Sequence, residues 1–167
     1  MSTQLPPLDW PHYGIGFVPA VKRAFQKYAT FSGRASRSEF WWWTLANGIV
    51  VTVLYGLIAA LAVAGRTPDG EPGRALIAPT VLLVIWALAI IVPSIAVTVR
   101  RLHDAGQSGW FYLFSVFGLG IVTLVLCALE TSPNAVKYGP PYPQGYAPAG
   151  YGDPNQGYGP PPGQQQF

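Results

Sequence analysis

"FSGRASRSEFWWWTLANGIVVTVLYGLIAA", residues 31–60, passes from arginine through tryptophan into a long run without charge. This order follows the layers of a membrane, from anionic headgroups through the interface, where indole rings are enriched, to hydrocarbon. Within it, Ser36-Arg37-Ser38-Glu39 fits a capping box, which predicts that a helix begins at Arg37. We therefore expect a transmembrane helix whose arginine-rich end lies at a membrane surface.

The composition of the whole chain also indicates a membrane protein. Of its 167 residues, 50% are hydrophobic and only 10% are charged, against roughly 25% charged residues in an ordinary soluble domain. So few charges cannot cover the surface of a soluble particle of this size. The net charge of +3 is accompanied by no nucleic-acid recognition motif, so we predict attraction to an anionic membrane surface and no nucleic-acid partner.

Three runs without charged residues are long enough to cross a hydrocarbon layer of about 30 Å, which takes about 20 helical residues. They cover about 40–65, 75–99 and 109–129. Pro93 interrupts the backbone hydrogen bonding of the second run and should leave the carbonyl of Ala89 free for Ser94 or a neighbouring helix to satisfy. The sequence predicts an all-α membrane protein with three transmembrane helices.

Residues 17–30 are predicted to form an amphipathic helix that lies in the interface plane; the alternative is a helix packed on a soluble partner. Its predicted polar face contains Lys22, Arg23, Gln26 and Lys27. Residues 1–16 are predicted to be a flexible N-terminus, and 17–137 form the membrane domain. The Pro-, Gly-, Tyr- and Gln-rich tail at 138–167 lacks the aliphatic residues of a core and is predicted to be disordered.

The distribution of Lys and Arg predicts the orientation, because cytoplasmic loops carry an excess of them. With three spans, alternate segments sum to seven on the side of the N-terminus and three on the other. The N-terminus and the loop after Arg101 should then be cytoplasmic. The loop at 66–74 and the tail from Tyr138 should lie outside, although one span fewer would bring the tail inside.

Unusual polar residues gather at the predicted cytoplasmic ends of the spans. We call them the charge cluster: Arg34, Arg37, Glu39, Arg100, Arg101, His103 and Asp104. We expect Arg100 to pair with Asp104 at i,i+4, and Glu39 to bridge to Arg100 or Arg101. The cluster either locks the helix ends together or forms a site for anionic lipid headgroups. An interfacial aromatic belt is predicted at Trp41, Trp42, Trp43 and Trp110.

Neither catalytic residues nor a cofactor or metal site is predicted. His103 has only His12 as a histidine companion, without metal-ligand spacing, and no nucleophile motif is present. A membrane enzyme using His103 and Asp104 is therefore the weakest alternative.

The predicted partners are the lipid bilayer and either a second copy or another membrane protein. An oligomeric channel or transport component is the main alternative to a structural or interaction role. It would need polar residues facing a shared axis. The candidates are Asn47, Thr52, Ser94, Thr98, Ser115 and Thr123.

Two blocks of the sequence, "FSGRASRSEFWWWTL" and "PSIAVTVRRLHDAGQSGWFYLF", resemble the signatures of domain-of-unknown-function family 805. The first block supplies the family's Gly-Arg-x-x-Arg-x-Glu-[Phe/Tyr]-Trp pattern from Gly33, and the second its Arg-Arg-Leu-His-Asp pattern from Arg100. The resemblance covers roughly 17–139 and implies a small protein of the bacterial cytoplasmic membrane. It implies no activity.

Overall fold

A computed structural model describes residues 6, 8, 10–64 and 73–139, and the regular elements within them are all helical. Five α-helices are present: α1 Phe17–Gln26, α2 Arg37–Ala64, α3 Ile77–Asp104, α4 Leu113–Val116 and α5 Gly120–Ala128. Short 3-10 helices cover Arg74–Leu76, Gly109–Tyr112 and Pro133–Tyr138. The predicted all-helical class is confirmed for these residues.

The helices α2 and α3 form an antiparallel pair that organises the rest of the chain. Each has 28 residues, which corresponds to about 42 Å, and both are long and apolar enough to cross a membrane. Large apolar side chains such as Val53 and Leu88 are exposed along their length. Such a surface suits hydrocarbon, because apolar side chains gain nothing from contact with water. The first two predicted spans therefore correspond to real helices.

The capping box at the start of α2 is confirmed. The backbone N–H of Glu39 donates to Ser36 Oγ at 3.1 Å, and the Glu39 carboxylate accepts from the Ser36 N–H at 2.8 Å. Two backbone donors at the helix start are thereby satisfied. The Ser36 hydroxyl also donates to the carbonyl of His12 at 2.7 Å, which joins the N-terminal segment to α2.

Helix α3 continues through Pro93, and the carbonyl freed by this proline has found a partner. The Tyr28 hydroxyl donates to Ala89 O at 2.7 Å. Ser94, which we expected to compete for this carbonyl, instead accepts from Trp43 Nε1 at 3.1 Å. The residues after α1 are thus bound to the middle of α3.

The third predicted span, 109–129, is not a continuous helix. Gly118 has a φ of +81°, and Leu119 N–H donates back to Phe114 O at 2.7 Å, the pattern of a glycine that ends a helix. Helix α5 then folds back on the preceding segment, where Thr123 Oγ1 donates to Phe111 O at 3.2 Å. We call residues 109–128 the hairpin; neither arm is long enough to span hydrocarbon about 30 Å thick.

The hairpin returns the chain to the end of the helix pair from which it left. Arg101 Nε donates to Cys127 O at 2.8 Å, and Ser132 N–H donates to Asp104 O at 2.9 Å. The ring of Tyr138 stacks on His103 with centroids 3.9 Å apart. The start of the tail therefore lies at the same end of the helix pair as the start of α2, whereas the three-span prediction placed it at the opposite end. The disorder prediction concerns residues that, beyond Gly139, lie outside the described part of the chain.

The N-terminal segment is packed rather than free from residue 10 onward. Tyr13 and Ile15 are both buried, so the prediction of flexibility over 1–16 fails there. Helix α1 ends at Gln26, four residues before the predicted limit of 17–30.

The end of α3 depends on Gly106, which has a φ of +75°. Gln107 N–H donates to Leu102 O at 2.9 Å and Gly106 N–H to His103 O at 3.0 Å, which together form a Schellman motif. A Cβ at Gly106 would lie 2.6 Å from Ser132 Oγ. The turn thus requires glycine for both conformation and space.

We expect Gly106→Ala to lower the thermal stability of the protein in detergent. The left-handed conformation alone costs a non-glycine residue about 1–2 kcal/mol, and the contact with Ser132 adds to this. Gly48→Ala is the matched control, since a Cβ there meets nothing within 4 Å. Equal melting temperatures for the two variants would contradict this account of the turn.

Candidate functional site

The Asp104 carboxylate is the centre of a buried polar network. Its side chain is fully buried. Oδ1 accepts from the Tyr13 hydroxyl at 2.6 Å and from Arg34 Nε at 2.9 Å. Oδ2 accepts from Thr131 Oγ1 at 2.8 Å and from Arg101 Nη1. One carboxylate thereby joins the N-terminal segment, the loop before α2, the end of α3 and the segment after α5.

Arg101 is the second member of this centre and is also fully buried. Besides its ion pair with Asp104, its guanidinium donates to the carbonyls of Cys127 and Leu129 at the end of α5. These contacts hold the hairpin against α3. The predicted i,i+4 pair of Arg100 with Asp104 is wrong, because the carboxylate is approached by Arg101 at i,i+3 instead.

A second centre surrounds Glu39, which is buried at the start of α2. Arg23 Nε lies 2.7 Å from Glu39 Oε1, and the Arg23 guanidinium also donates to the carbonyl of Trp10. Arg23 was predicted on the polar face of α1, but the ion pair turns it inward. The predicted bridge from Glu39 to Arg100 or Arg101 is replaced by this pair, with Arg100 contributing only attraction at longer range.

Arg100 is buried but has fewer partners than Arg101. Its Nε donates to Ala96 O at 3.1 Å, while its Nη2 has no hydrogen-bond partner among the residues that the structure describes. Its backbone carbonyl accepts from Ala35 N–H at 3.0 Å. Arg100 is therefore the least compensated cation of the charge cluster.

The remaining members of the charge cluster lie at its edge. Arg37 faces Glu130 at 3.7 Å in an exposed pair, and His103 Nδ1 lies 3.2 Å from Gly33 O. The structure thus brings all seven predicted residues to one end of the helix pair. It adds Tyr13, Arg23 and Thr131, which the sequence analysis missed.

The four tryptophans of the predicted aromatic belt have different surroundings. Trp110 is 77% exposed and Trp41 40%, whereas Trp42 Nε1 donates to Ile15 O at 2.8 Å. Trp43 is only 3% exposed and packs between helices, so its assignment to an outward-facing belt is wrong. Consecutive residues point about 100° apart on a helix, which explains why the three cannot share one environment.

The network favours fixed protonation states. Burial, and after it the charge of Asp104, raises the pKa of the Tyr13 hydroxyl, so the phenol remains protonated and donates its hydrogen bond. Burial and the positive charge of Arg23 lower the pKa of His12. The described residues contain no group of three or more His, Cys, Asp or Glu side chains that could hold a metal ion. The arrangement is suited to holding charges in place.

Comparison with known proteins identifies the family of this chain. Residues 28–140 match a family described as "Protein of unknown function (DUF805)". The chain belongs to this family. The resemblance carried by the Gly33–Trp41 and Arg100–Trp110 blocks is therefore confirmed, and both blocks fall within the matched region.

Two relatives from Escherichia coli (strain K12) are named inner membrane proteins. Inner membrane protein YhaI is 34% identical over 116 residues, which cover 68% of this chain and 86% of the relative. Inner membrane protein YhaH is 31% identical over 121 residues, covering 71% and 91% respectively. No solved structure matches this chain.

Asp104→Ala is expected to destabilise the protein by about 3–5 kcal/mol, because it leaves two buried guanidiniums without their carboxylate. Glu130→Ala provides the control, since it removes a carboxylate from an exposed pair of little energetic value. Thermal unfolding of both variants in the same detergent measures the difference. If they melt together, the Asp104 centre does not hold the fold.

Arg101→Met is expected to destabilise more than Arg100→Met. The first substitution removes three hydrogen bonds, to Cys127 O, Leu129 O and the Asp104 carboxylate, whereas the second removes a cation with one side-chain hydrogen bond. A hydrogen bond from a charged group contributes roughly 1.5–3 kcal/mol, so the two melting curves should separate clearly. The reverse order would contradict the assigned partners.

Proposed function

We propose that this protein is a small integral protein of the bacterial cytoplasmic membrane with a structural or interaction role rather than an enzymatic one. The observation that carries the proposal is the Asp104 centre, where side chains from four chain segments meet at one buried carboxylate. In this role the charge cluster is a lock for the helix ends. The inner-membrane names of the YhaI and YhaH relatives support the location.

The arginines of the charge cluster are better explained as groups that hold the helix ends together than as a binding site for lipid headgroups. Arg34, Arg100 and Arg101 are all buried, and two of them pair with Asp104. A lipid phosphate could reach them only if these pairs opened. Breaking a buried ion pair costs several kcal/mol, more than a surface contact with an anionic lipid returns.

The proposed topology has two crossings, α2 and α3, and a hairpin that dips into the membrane and returns. Its tip is strongly apolar and outward-facing, with Phe117 76% and Ile121 68% exposed, which suits insertion among acyl chains. The N-terminus and the tail then share the cytoplasmic side. Helix α1 lies at the interface on this same side.

The number of Lys and Arg residues on each side of the membrane supports this topology. With two crossings, the cytoplasmic side holds eight of them and the outer side two. The three-span arrangement divided them seven to three, so the positive-inside rule is better satisfied. The cytoplasmic residues are Lys22, Arg23, Lys27, Arg34, Arg37, Arg100, Arg101 and Lys137; the outer ones are Arg66 and Arg74.

The channel alternative receives no support from the polar residues of the spans. Four of its six candidate residues have hydrogen-bond partners within the chain: Asn47, Ser94, Thr98 and Thr123. Hydrogen bonds within one chain therefore account for these four polar side chains without a pore.

Reporter fusions test the topology. A reporter active only in the cytoplasm should be active after Phe167 and inactive when inserted within 66–72. A reporter active only outside the cytoplasm should give the opposite pattern at the same two positions, which controls for expression. Activity of the second reporter after Phe167 would mean that 109–129 crosses the membrane, and the two-crossing topology would be wrong.

A further inference from the structure

An apolar groove of about 400 Å³ opens beside the charge cluster without belonging to it. Helix α1 forms one wall with Phe17 and Val21, while Trp43 and Val50 of α2 and Trp86 of α3 form the other. Its volume lies within the range of about 300–1,000 Å³ typical of ligand sites. Lys22 lines the groove and is exposed.

We infer that this groove binds one acyl chain of an anionic phospholipid whose phosphate lies on Lys22. The inference rests on the proposed membrane placement, in which α1 lies at the interface. From Trp43 to Val50 the wall descends seven residues along α2, or about 10 Å toward the hydrocarbon. A lipid with its headgroup beside α1 would extend its chain along this wall.

The positive charge of Lys22 at the groove favours a lipid with an anionic headgroup. Lys22 forms no ion pair with any described residue, unlike the buried Arg23 beside it in sequence, which pairs with Glu39. Among the groove-lining residues it is the charged one, and the other polar side-chain groups are the Asn47 amide and the indole N–H groups of Trp43 and Trp86. An exposed lysine at a membrane surface attracts anionic headgroups by about 1 kcal/mol.

The lining favours a hydrocarbon chain over a peptide segment. The walls are helices whose backbone groups are bonded within the helix, and the Asn47 Nδ2 group already donates to Trp43 O at 2.8 Å. The Asn47 Oδ1 and Trp86 Nε1 atoms have no partner among the described residues, but both are buried within the wall. A peptide would bring backbone N–H and C=O groups that need partners at this depth. An acyl chain needs none.

Native mass spectrometry of the full chain in a neutral detergent tests the inference. Phosphatidylglycerol and phosphatidylcholine with identical acyl chains are titrated separately, and bound lipid is counted. We expect phosphatidylglycerol to bind about fivefold more tightly, the equivalent of roughly 1 kcal/mol. Lys22→Ala should abolish this preference, whereas Lys137→Ala, a control at a second exposed lysine, should retain it.

A second pair of variants tests the groove itself. Ala46 lines the groove, and Ala46→Phe should weaken binding of both lipids severalfold by filling it. Ala59→Phe adds the same ring to an exposed position of α2 and should leave binding unchanged. Because Lys22 is exposed and unpaired, Lys22→Ala keeps the test valid even if Ala46→Phe misfolds.

Three results would overturn the inference. They are equal binding of the two lipids by the unmodified protein, an unchanged preference in Lys22→Ala, and a dimer that Ala46→Phe disrupts without any effect on lipid. None of these would affect the reporter fusions or the Asp104 variants. Conversely, a failed topology leaves this detergent measurement interpretable.

Discussion

A carboxylate cannot remain charged inside a protein unless cations and hydrogen-bond donors surround it. Asp104 is such a group, and satisfying it determines how the chain is arranged at this end of the molecule. Tyr13, Arg34, Arg101 and Thr131 come from separate segments, so each segment must converge on one point. Association of helices within a membrane gains little from the hydrophobic effect, which makes this polar convergence all the more important for the fold.

The two buried centres together contain more cations than anions, and helix geometry offsets part of the difference. Arg101 donates to carbonyls at the end of α5, and Arg100 lies in the last two turns of α3. The C-terminus of a helix carries about half a negative charge, so guanidiniums there are stabilised without a carboxylate partner. This explains why the arginines gather at the helix ends and why Arg100 tolerates having few side-chain partners.

Features that depend on neighbouring residues could be predicted from the sequence, whereas contacts between residues distant in sequence could not. The capping box at Ser36, the glycine turn at Gly106 and the two long spans follow from short-range rules. Residues 109–129 were predicted as one continuous span because hydropathy measures the length of an apolar run and does not detect a reversal of the chain. Gly118, at which the helix ends, was the residue that could have indicated the turn. The ion pair of Arg23 with Glu39 could not be predicted, because the helical spacing of apolar residues in 17–30 placed Arg23 on the polar face. Tyr13 lies in a segment for which no motif or hydrophobic periodicity was identified, so its role could not be predicted.

The return of the hairpin to its starting side has a consequence for biogenesis. In the proposed topology the hydrophilic stretch that must be translocated is the short connection between α2 and α3, whose four charged residues, Arg66, Asp69, Glu71 and Arg74, sum to zero net charge. Both crossings can then enter the bilayer together as a single helical unit, and the hairpin can settle from the cytoplasmic face afterwards. In that topology the residues after the hairpin need no export, because they remain on the side where they are synthesised.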